Sequence, residues 1–247
     1  MTERPIIFSA PMVKAILEGR KSQTRRVLKF TKKQEAENKK AGFVPGCFHE
    51  DGGGNWIAWE RQNVPGLAEL TKRAYPNADG FPCPYGKAGD HLWVRENFQV
   101  THDGNLFGLR YLADETVAMY WPNYDRGKVD EIDAFAVRHA NGKALPSIFM
   151  PRWASRITLE IVRVRVERVT DISGDDAIAE GAAFLYSEEF KARYGFYPPG
   201  IVDGVCAQRR FISLWNELHP LKTGHCWTDR PFVWVLEFKP VTLGAIK

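Results

Sequence analysis

The regular alternation of apolar and polar residues is the strongest local pattern in this chain. In the run 157–169, valines occupy one side and charged residues the other: Val162, Val164 and Val166 against Arg163, Arg165 and Glu167. A period of two residues predicts a β-strand with one apolar face. Shorter runs at 91–98 and 231–238 predict two further strands, and 4–8 and 25–28 predict two brief ones.

Three segments carry helical signals instead. The first has Ser9 or Ala10 as its cap, Pro11 in the first turn and Gly19 as its stop. The segment 171–181 reads as a second short helix that ends at a glycine. A third, amphipathic helix is predicted over 205–218, with an apolar face formed by Ile212, Leu214, Trp215 and Leu218.

Two stretches interrupt this order. Residues 31–83 are rich first in Lys and Glu and then in Gly, Pro and Asn, and they predict an insertion or a long loop. Residues 99–147 alternate short aromatic strands with turns and predict added β-hairpins. The predicted elements are mostly strands with a few short helices, and the last strand closes on an early one. Together they predict an α+β, mainly β fold, arranged as a small open β-barrel with short flanking helices. We expect a single domain over 1–247 that carries these two insertions.

The amino-acid composition adds little to the predicted fold. The chain has 247 residues, of which 44% are hydrophobic and 26% charged, as in ordinary globular proteins. The net charge of +4 is too small to predict a dense basic face for duplex nucleic acid. Residues 1–40, however, hold eleven basic and four acidic residues, a local charge of +7 that would attract phosphates unless it is only a solvated surface.

The four cysteines do not form a disulfide framework in a chain of this length. The pairs Cys47/His49 and His225/Cys226 match no zinc spacing, so we expect no metal. Neither a signal peptide nor eighteen consecutive apolar residues is present. A cytoplasmic protein with no membrane partner is the expectation.

The segment 16–26 carries the strongest candidate chemistry. Lys21 lies three residues before Thr24, in a turn that follows a helix. A threonine hydroxyl becomes a nucleophile when a neighbouring base takes its proton, and a partly desolvated lysine serves as such a base. The nearby Arg20, Arg25 and Arg26 would repel a protonated lysine and hold a phosphate. The same residues would also suit a plain basic surface turn.

The run Gly19-Arg20-Lys21-Ser22-Gln23-Thr24-Arg25 resembles the N-terminal signature of the ASCH family. Gly89-Asp90-His91-Leu92-Trp93-Val94 is similar to that family's Gly-Asp-x-Leu-x-Val turn and strand. The helix with Ala177 and Glu180 looks like its A-x-x-E helix. The segments 5–13 and 150–156 look like the longer, phage- or prophage-type members.

This resemblance implies a PUA-like β-barrel with a cleft for a base or nucleotide. One bacterial branch of the family is similar to N4-acetylcytidine amidohydrolases, which use a Lys, a Thr and a Glu. Those three types map onto Lys21, Thr24 and Glu180, and imply a hydrolase with no cofactor or metal that acts on a modified cytidine nucleoside. Other members are associated with RNA binding or RNA cleavage, which leaves an RNA- or nucleic-acid-binding module, or a ribonuclease, in phage-associated biology as the alternative.

Residues outside the motif add two weaker expectations. Trp153, with Arg152 and Arg156, would form an aromatic and cationic wall for a base, or Trp153 would pack within the barrel. Arg163 and Arg165 on one strand face would line a groove for nucleic acid, or would only cover an exposed face.

Overall fold

The computed structural model describes residues 1–29, 47–50, 55–59, 81–103, 106–120, 134–135, 138–139, 142–182 and 204–243. Strands dominate the described residues: β1 (Glu3–Ile7), β2 (Gln23–Val27), β3 (Cys47–Glu50), β4 (Asn55–Trp59), β5 (Phe81–Pro82), β6 (His91–Arg95), β7 (Phe98–Asp103), β8 (Leu106–Tyr111), β9 (Val117–Tyr120), β10 (Ala144–Leu145), β11 (Thr158–Arg168) and β12 (Phe232–Thr242). The helices are α1 (Ala10–Leu17), α2 (Gly174–Ala179) and α3 (Gly204–Leu218). An α+β fold made mainly of strands is therefore confirmed.

The described strands form three sheets and no closed barrel. The largest has the hydrogen-bonded order β1-β6-β11-β12-β2. In it β1 runs parallel to β6, whereas β11 is antiparallel to β6 and β12 is antiparallel to β2. The predicted pairing of the last strand with an early strand is confirmed, since Leu236 of β12 lies opposite Thr24 of β2.

The predicted hairpins of 99–147 form a four-stranded antiparallel sheet with the order β10-β7-β8-β9. The proposed insertion 31–83 contributes the three-stranded sheet β3-β4-β5. The Lys- and Glu-rich stretch 32–40 within it lies outside the described residues.

The chain divides into two compact units, each assembled from segments that are distant in sequence. The first unit comprises Met1–Ser22, Gly89–Glu160 and Phe238–Lys247, and the second comprises Gln23–Ala88 and Ile161–Glu237. A buried cluster in the first unit contains Phe98, Val100, Leu109, Tyr111, Met150 and Ala154. A buried cluster in the second contains Val169, Ile172, Ala177, Ala182, Ala207, Phe211, Trp215, Val233 and Val235.

Helix α1 follows the signals that predicted it. Pro11 occupies the first turn, where a missing N–H costs no hydrogen bond. Val13 and Ile16 are buried, as the apolar spacing predicts. The chain leaves the helix through Gly19, whose φ of +71° is a left-handed conformation that glycine adopts without strain.

The other two helices also lie where the pattern placed them. The side chain of Ser173 caps α2 by accepting a hydrogen bond from the Asp176 N–H at 3.0 Å. In α3 the buried positions are Ala207, Phe211 and Trp215, while Leu218 is 59% exposed. The apolar pattern predicts that the buried face of α3 includes Leu218, and this part of the prediction is wrong. No helix among the described residues has both the length and the apolar character needed to cross a membrane.

Candidate functional site

Strand β2 carries the second half of the Lys21–Thr24 motif. Side chains alternate along a strand, so Gln23 and Arg25 share one face while Thr24 and Arg26 share the other. Gln23, Thr24 and Arg25 are at most 5% exposed. A basic surface turn is therefore the wrong interpretation of this stretch, which is a buried strand paired with β12.

Arg25 lies at the centre of a buried cluster of charges in the second unit. Its side chain is fully buried. The Nε atom donates to Glu167 Oε1 at 3.0 Å, and Nη2 donates to Asp176 Oδ2 at 2.9 Å as well as to Glu167. The Nη1 atom donates to Glu180 Oε1 at 3.1 Å. The sequence predicts that Arg25 holds a phosphate, but the structure commits its guanidinium to three carboxylates.

A second arginine from β11 stabilises the same carboxylates. Arg165 Nε donates to Glu167 Oε2 at 3.0 Å, and Nη2 donates to Asp176 Oδ2 at 2.9 Å. Its Nη1 atom donates to Glu237 of β12. Burial favours a higher pKa for Asp176, but the charges of Arg25 and Arg165 outweigh it and lower that pKa below its ordinary value. Arg165 is thus a member of this carboxylate cluster rather than an unengaged basic side chain.

The three predicted catalytic residues are all buried. Lys21 and Thr24 are each 3% exposed and Glu180 is 9% exposed. Burying an amine, a hydroxyl and a carboxyl costs free energy unless each is paired. Of the three, Glu180 has the best-defined setting: it caps the end of α2, where its N–H donates to the Asp176 carbonyl at 2.8 Å, and it accepts from Arg25.

Lys21 belongs to the first unit and follows the end of α1. Its backbone N–H donates to the Ala15 carbonyl at 3.0 Å, which continues the hydrogen bonding of the helix beyond its last turn. The ammonium nitrogen lies 5.7 Å from the centre of the Phe8 ring, within the range of a cation–π contact. Arg20 beside it is bonded to Glu18, with Nε to Oε2 at 2.7 Å.

Arg26 shares a strand face with Thr24 and is partly buried. Burial lowers the pKa of Arg26, and the nearby Tyr85 and Glu180 oppose that shift. Burial likewise raises the pKa of Tyr85, and Arg26 opposes the shift. Sequence reasoning misses Tyr85, because it lies in a turn 59 positions from Arg26 with no motif around it. Arg26 therefore lies near both Tyr85 and Glu180.

Arg156 and Trp153 occupy a separate setting in the first unit. Arg156 forms two bonds of 2.9 Å to Glu96 and two of 2.9 Å to Asp114. Its guanidinium also lies 4.1 Å from the centre of the Tyr111 ring. Trp153 packs on the core cluster of that unit, so the structure favours packing over the predicted wall for a base.

The polar clusters of both units depend on acids that sequence reasoning does not identify as partners. Glu167, Asp176 and Glu237 surround the two arginines in the second unit, and Glu96 and Asp114 surround Arg156 in the first. The one sequence signal for such a pair of partners is the i, i+2 spacing of Arg165 and Glu167, which places both on one strand face.

Metal ligands are the other site type raised by the sequence. For Cys47 and His49 only the backbone, in strand β3, is described. Within the described part of the chain, no group of three or more His, Cys, Asp and Glu is placed to hold a metal ion.

Comparison of this chain with family models, curated proteins and solved structures finds no match.

Proposed function

We propose that this chain is a metal-independent amidohydrolase of the ASCH type, with a PUA-like architecture, that removes the acyl group from N4-acetylcytidine or a related N4-acylated cytosine nucleoside. The observation that supports the proposal is the burial of the motif's polar residues. Lys21, Thr24 and Glu180 are each at most 9% exposed, although they carry an amine, a hydroxyl and a carboxyl. A buried amine and a buried hydroxyl three residues apart are candidates for a base and the nucleophile that it activates.

The spacing of Lys21 and Thr24 suits proton transfer. Three residues of chain separate their Cα atoms by at most roughly 10 Å, a gap that a lysine side chain bridges. The reaction begins when Thr24 Oγ attacks the amide carbonyl carbon and the uncharged amine form of Lys21 takes the hydroxyl proton. Lys21 then returns that proton to N4 as the carbon–nitrogen bond breaks, which releases cytidine and leaves an acetyl ester on Thr24. Water hydrolyses the ester to acetate and restores the hydroxyl.

Two arginines receive different roles in this proposal. Arg26 shares the strand face of Thr24 and is the cation best placed to contact a nucleoside there. Arg25 faces the carboxylate cluster instead, so it contributes through Glu180 rather than through the substrate. The PUA-like barrel implied by the resemblance stays part of the proposal.

The test is release of cytidine from N4-acetylcytidine by the full chain, followed by chromatography. Thr24→Ala and Lys21→Met each lower kcat by at least about a thousandfold, the scale expected for loss of a nucleophile or a general base. Mass spectrometry of wild-type protein quenched during turnover finds an acetyl group on the peptide that contains Thr24. Activity persists in EDTA.

Matched controls separate chemistry from folding. Ser22→Ala removes an exposed hydroxyl two residues before Thr24, and Lys14→Met removes an exposed amine from α1. Both keep wild-type turnover, and all four variants keep the wild-type circular dichroism spectrum. Turnover that survives in Thr24→Ala and Lys21→Met excludes the mechanism.

The alternative is an RNA-binding module. It rests on the +7 charge of residues 1–40, and it predicts oligonucleotide binding that weakens steeply with salt. In the described residues Arg25, Arg156 and Arg165 are committed to carboxylates, which reduces the positive charge that they offer to phosphates. Salt-dependent RNA binding without any deacylation would favour this alternative.

A further inference from the structure

Arg25 connects Glu180 to a set of fixed carboxylates. Arg25 comes from β2, while its three acidic partners come from β11 and from α2 and its end. A guanidinium presents its donors in a rigid planar fork and stays charged at every accessible pH. The Nε and Nη2 atoms are occupied by Glu167 and Asp176, and the Nη1 atom points to Glu180. Arg25 therefore joins Glu180 to a fixed framework.

That framework is anchored on several sides. Glu167 and Asp176 are each also held by Arg165, at 3.0 Å and 2.9 Å. The centre of the Arg25 guanidinium lies 5.7 Å from the ring centre of Phe211 in α3. The Arg25 side chain has no exposed surface, so it has little freedom to change rotamer.

We propose that Arg25 is a positioning residue that holds the Glu180 carboxyl in one orientation, so that Glu180 serves the site as a hydrogen-bond acceptor. This inference rests on the proposed deacylation. A hydrogen bond from a charged guanidinium is directional, so the Nη1 atom of Arg25 fixes the position of Glu180 Oε1 at 3.1 Å. The proton balance is complete without Glu180, because the proton of Thr24 travels to Lys21 and on to N4.

Arg25→Lys is the informative variant, because lysine keeps the charge but loses the planar fork. With N4-acetylcytidine as substrate, we expect kcat to fall by about a hundredfold, the scale of a roughly 1 Å misplacement of a reacting group, while KM stays within about twofold. Circular dichroism measures the folded fraction of the variant, and kcat is expressed per folded molecule, so that partial unfolding alone does not lower it.

Arg168→Lys is the matched control from the same unit. The Arg168 guanidinium also donates to a protein oxygen, from Nη1 to the Arg230 carbonyl at 2.8 Å. It packs on the ring of Phe232. Because side chains alternate along β11, Arg168 lies on the strand face opposite to that of Glu167. The Arg168→Lys variant therefore keeps the wild-type kcat.

A replacement variant is available if Arg25→Lys fails to fold. Glu167→Gln weakens one anchor of the Arg25 guanidinium while it leaves both Arg25 and Glu180 in place. We expect this change to lower kcat by about tenfold, as loss of an outer positioning partner does. Wild-type kcat in Glu167→Gln would overturn the positioning role.

A second measurement keeps this inference separate from the deacylation itself. In the full chain labelled with ¹³C at glutamate carboxyls, the Glu180 signal is identified by its loss in Glu180→Gln. We expect this signal to change its chemical shift or to broaden in Arg25→Lys, because the carboxyl has lost its fixed donor. Wild-type protein that does not hydrolyse N4-acetylcytidine refutes the proposed function, and the NMR comparison still decides the role of Arg25. Identical Glu180 signals in the two proteins, or a rise in KM with unchanged kcat, overturns the positioning role.

Discussion

Replacing Arg156 by methionine removes the guanidinium at the centre of the first unit's buried ion cluster. Arg156 is 4% exposed and Glu96 is 1% exposed, and four bonds of 2.9 Å join Arg156 to Glu96 and Asp114. Methionine preserves much of the apolar stem of Arg156 but supplies no donor. The variant therefore leaves the Glu96 carboxyl buried without its principal partner.

The expected loss of folding free energy in Arg156→Met follows from the unpaired charge of Glu96 rather than from a sum over the four hydrogen bonds. Breaking a buried ion pair by removing one partner costs about 3–5 kcal/mol, because the remaining charge has lost its compensation. Asp114 is more exposed and regains water, so most of the cost arises at Glu96. For a chain of this size the loss corresponds to a fall in Tm of between about 6 and 20 °C.

The assay is urea unfolding of wild type, Arg156→Met, Glu96→Gln and the double variant, repeated at several pH values. Burial already raises the pKa of Glu96 against the opposing effect of Arg156, and in Arg156→Met that opposition is gone. The folded state then binds a proton more readily than the unfolded state does. The destabilisation is therefore greatest at neutral pH and shrinks as pH falls through the raised pKa toward about 4.5. In the double variant the uncharged glutamine recovers at least about 1 kcal/mol relative to additivity.

Two results would refute this reasoning. A loss below about 1 kcal/mol in Arg156→Met would mean that water or another donor compensates Glu96. A loss that does not change with pH, together with additive behaviour in the double variant, would assign the effect to packing alone.

Further predictions concern a titrating side chain and a close backbone approach. Burial lowers the pKa of His219, with added repulsion from His225, so the unfolded state binds more protons and stability falls as pH drops below about 6.5. His219→Gln removes that acid-dependent part of the free energy of unfolding, and an unchanged pH dependence would contradict the assignment. A Cβ at Gly108 would lie 2.7 Å from Thr101 Oγ1, so Gly108→Ala costs about 1–3 kcal/mol in thermal unfolding. In the double variant Gly108→Ala, Thr101→Ala the clashing oxygen is absent, so part of the lost stability returns. If no stability returns, the strain lies instead at the backbone of β9, where the Ala118 carbonyl is 3.3 Å from the added Cβ.

The elements with a strong local period could be predicted from the sequence. The alternating run 157–169 is the strand Thr158–Arg168, and the segment 205–218 is the helix Gly204–Leu218. Trp93 and Trp234, which lie within alternating strands, are 7% and 2% exposed. These features follow from the chain's own neighbours, because the period of apolar residues reports which backbone conformation can bury one face.

The roles of the arginines could not be obtained in this way. Alternation along β2 predicts that Arg25 and Arg26 lie on opposite faces, but it does not predict which acids each face meets. The acids that bind Arg25 are 142 to 155 positions away, and Glu96 is 60 positions from Arg156. A local pattern contains no information about charges that meet only after the strands pair. The sequence by itself determined the strands and helices with a strong local period and the types of residue in the candidate site, but not the sheet β3-β4-β5, which lies where a long loop or insertion is predicted. The tertiary structure alone decided which charges are buried against which, because long-range pairing sets both the partner and the dielectric around each ion.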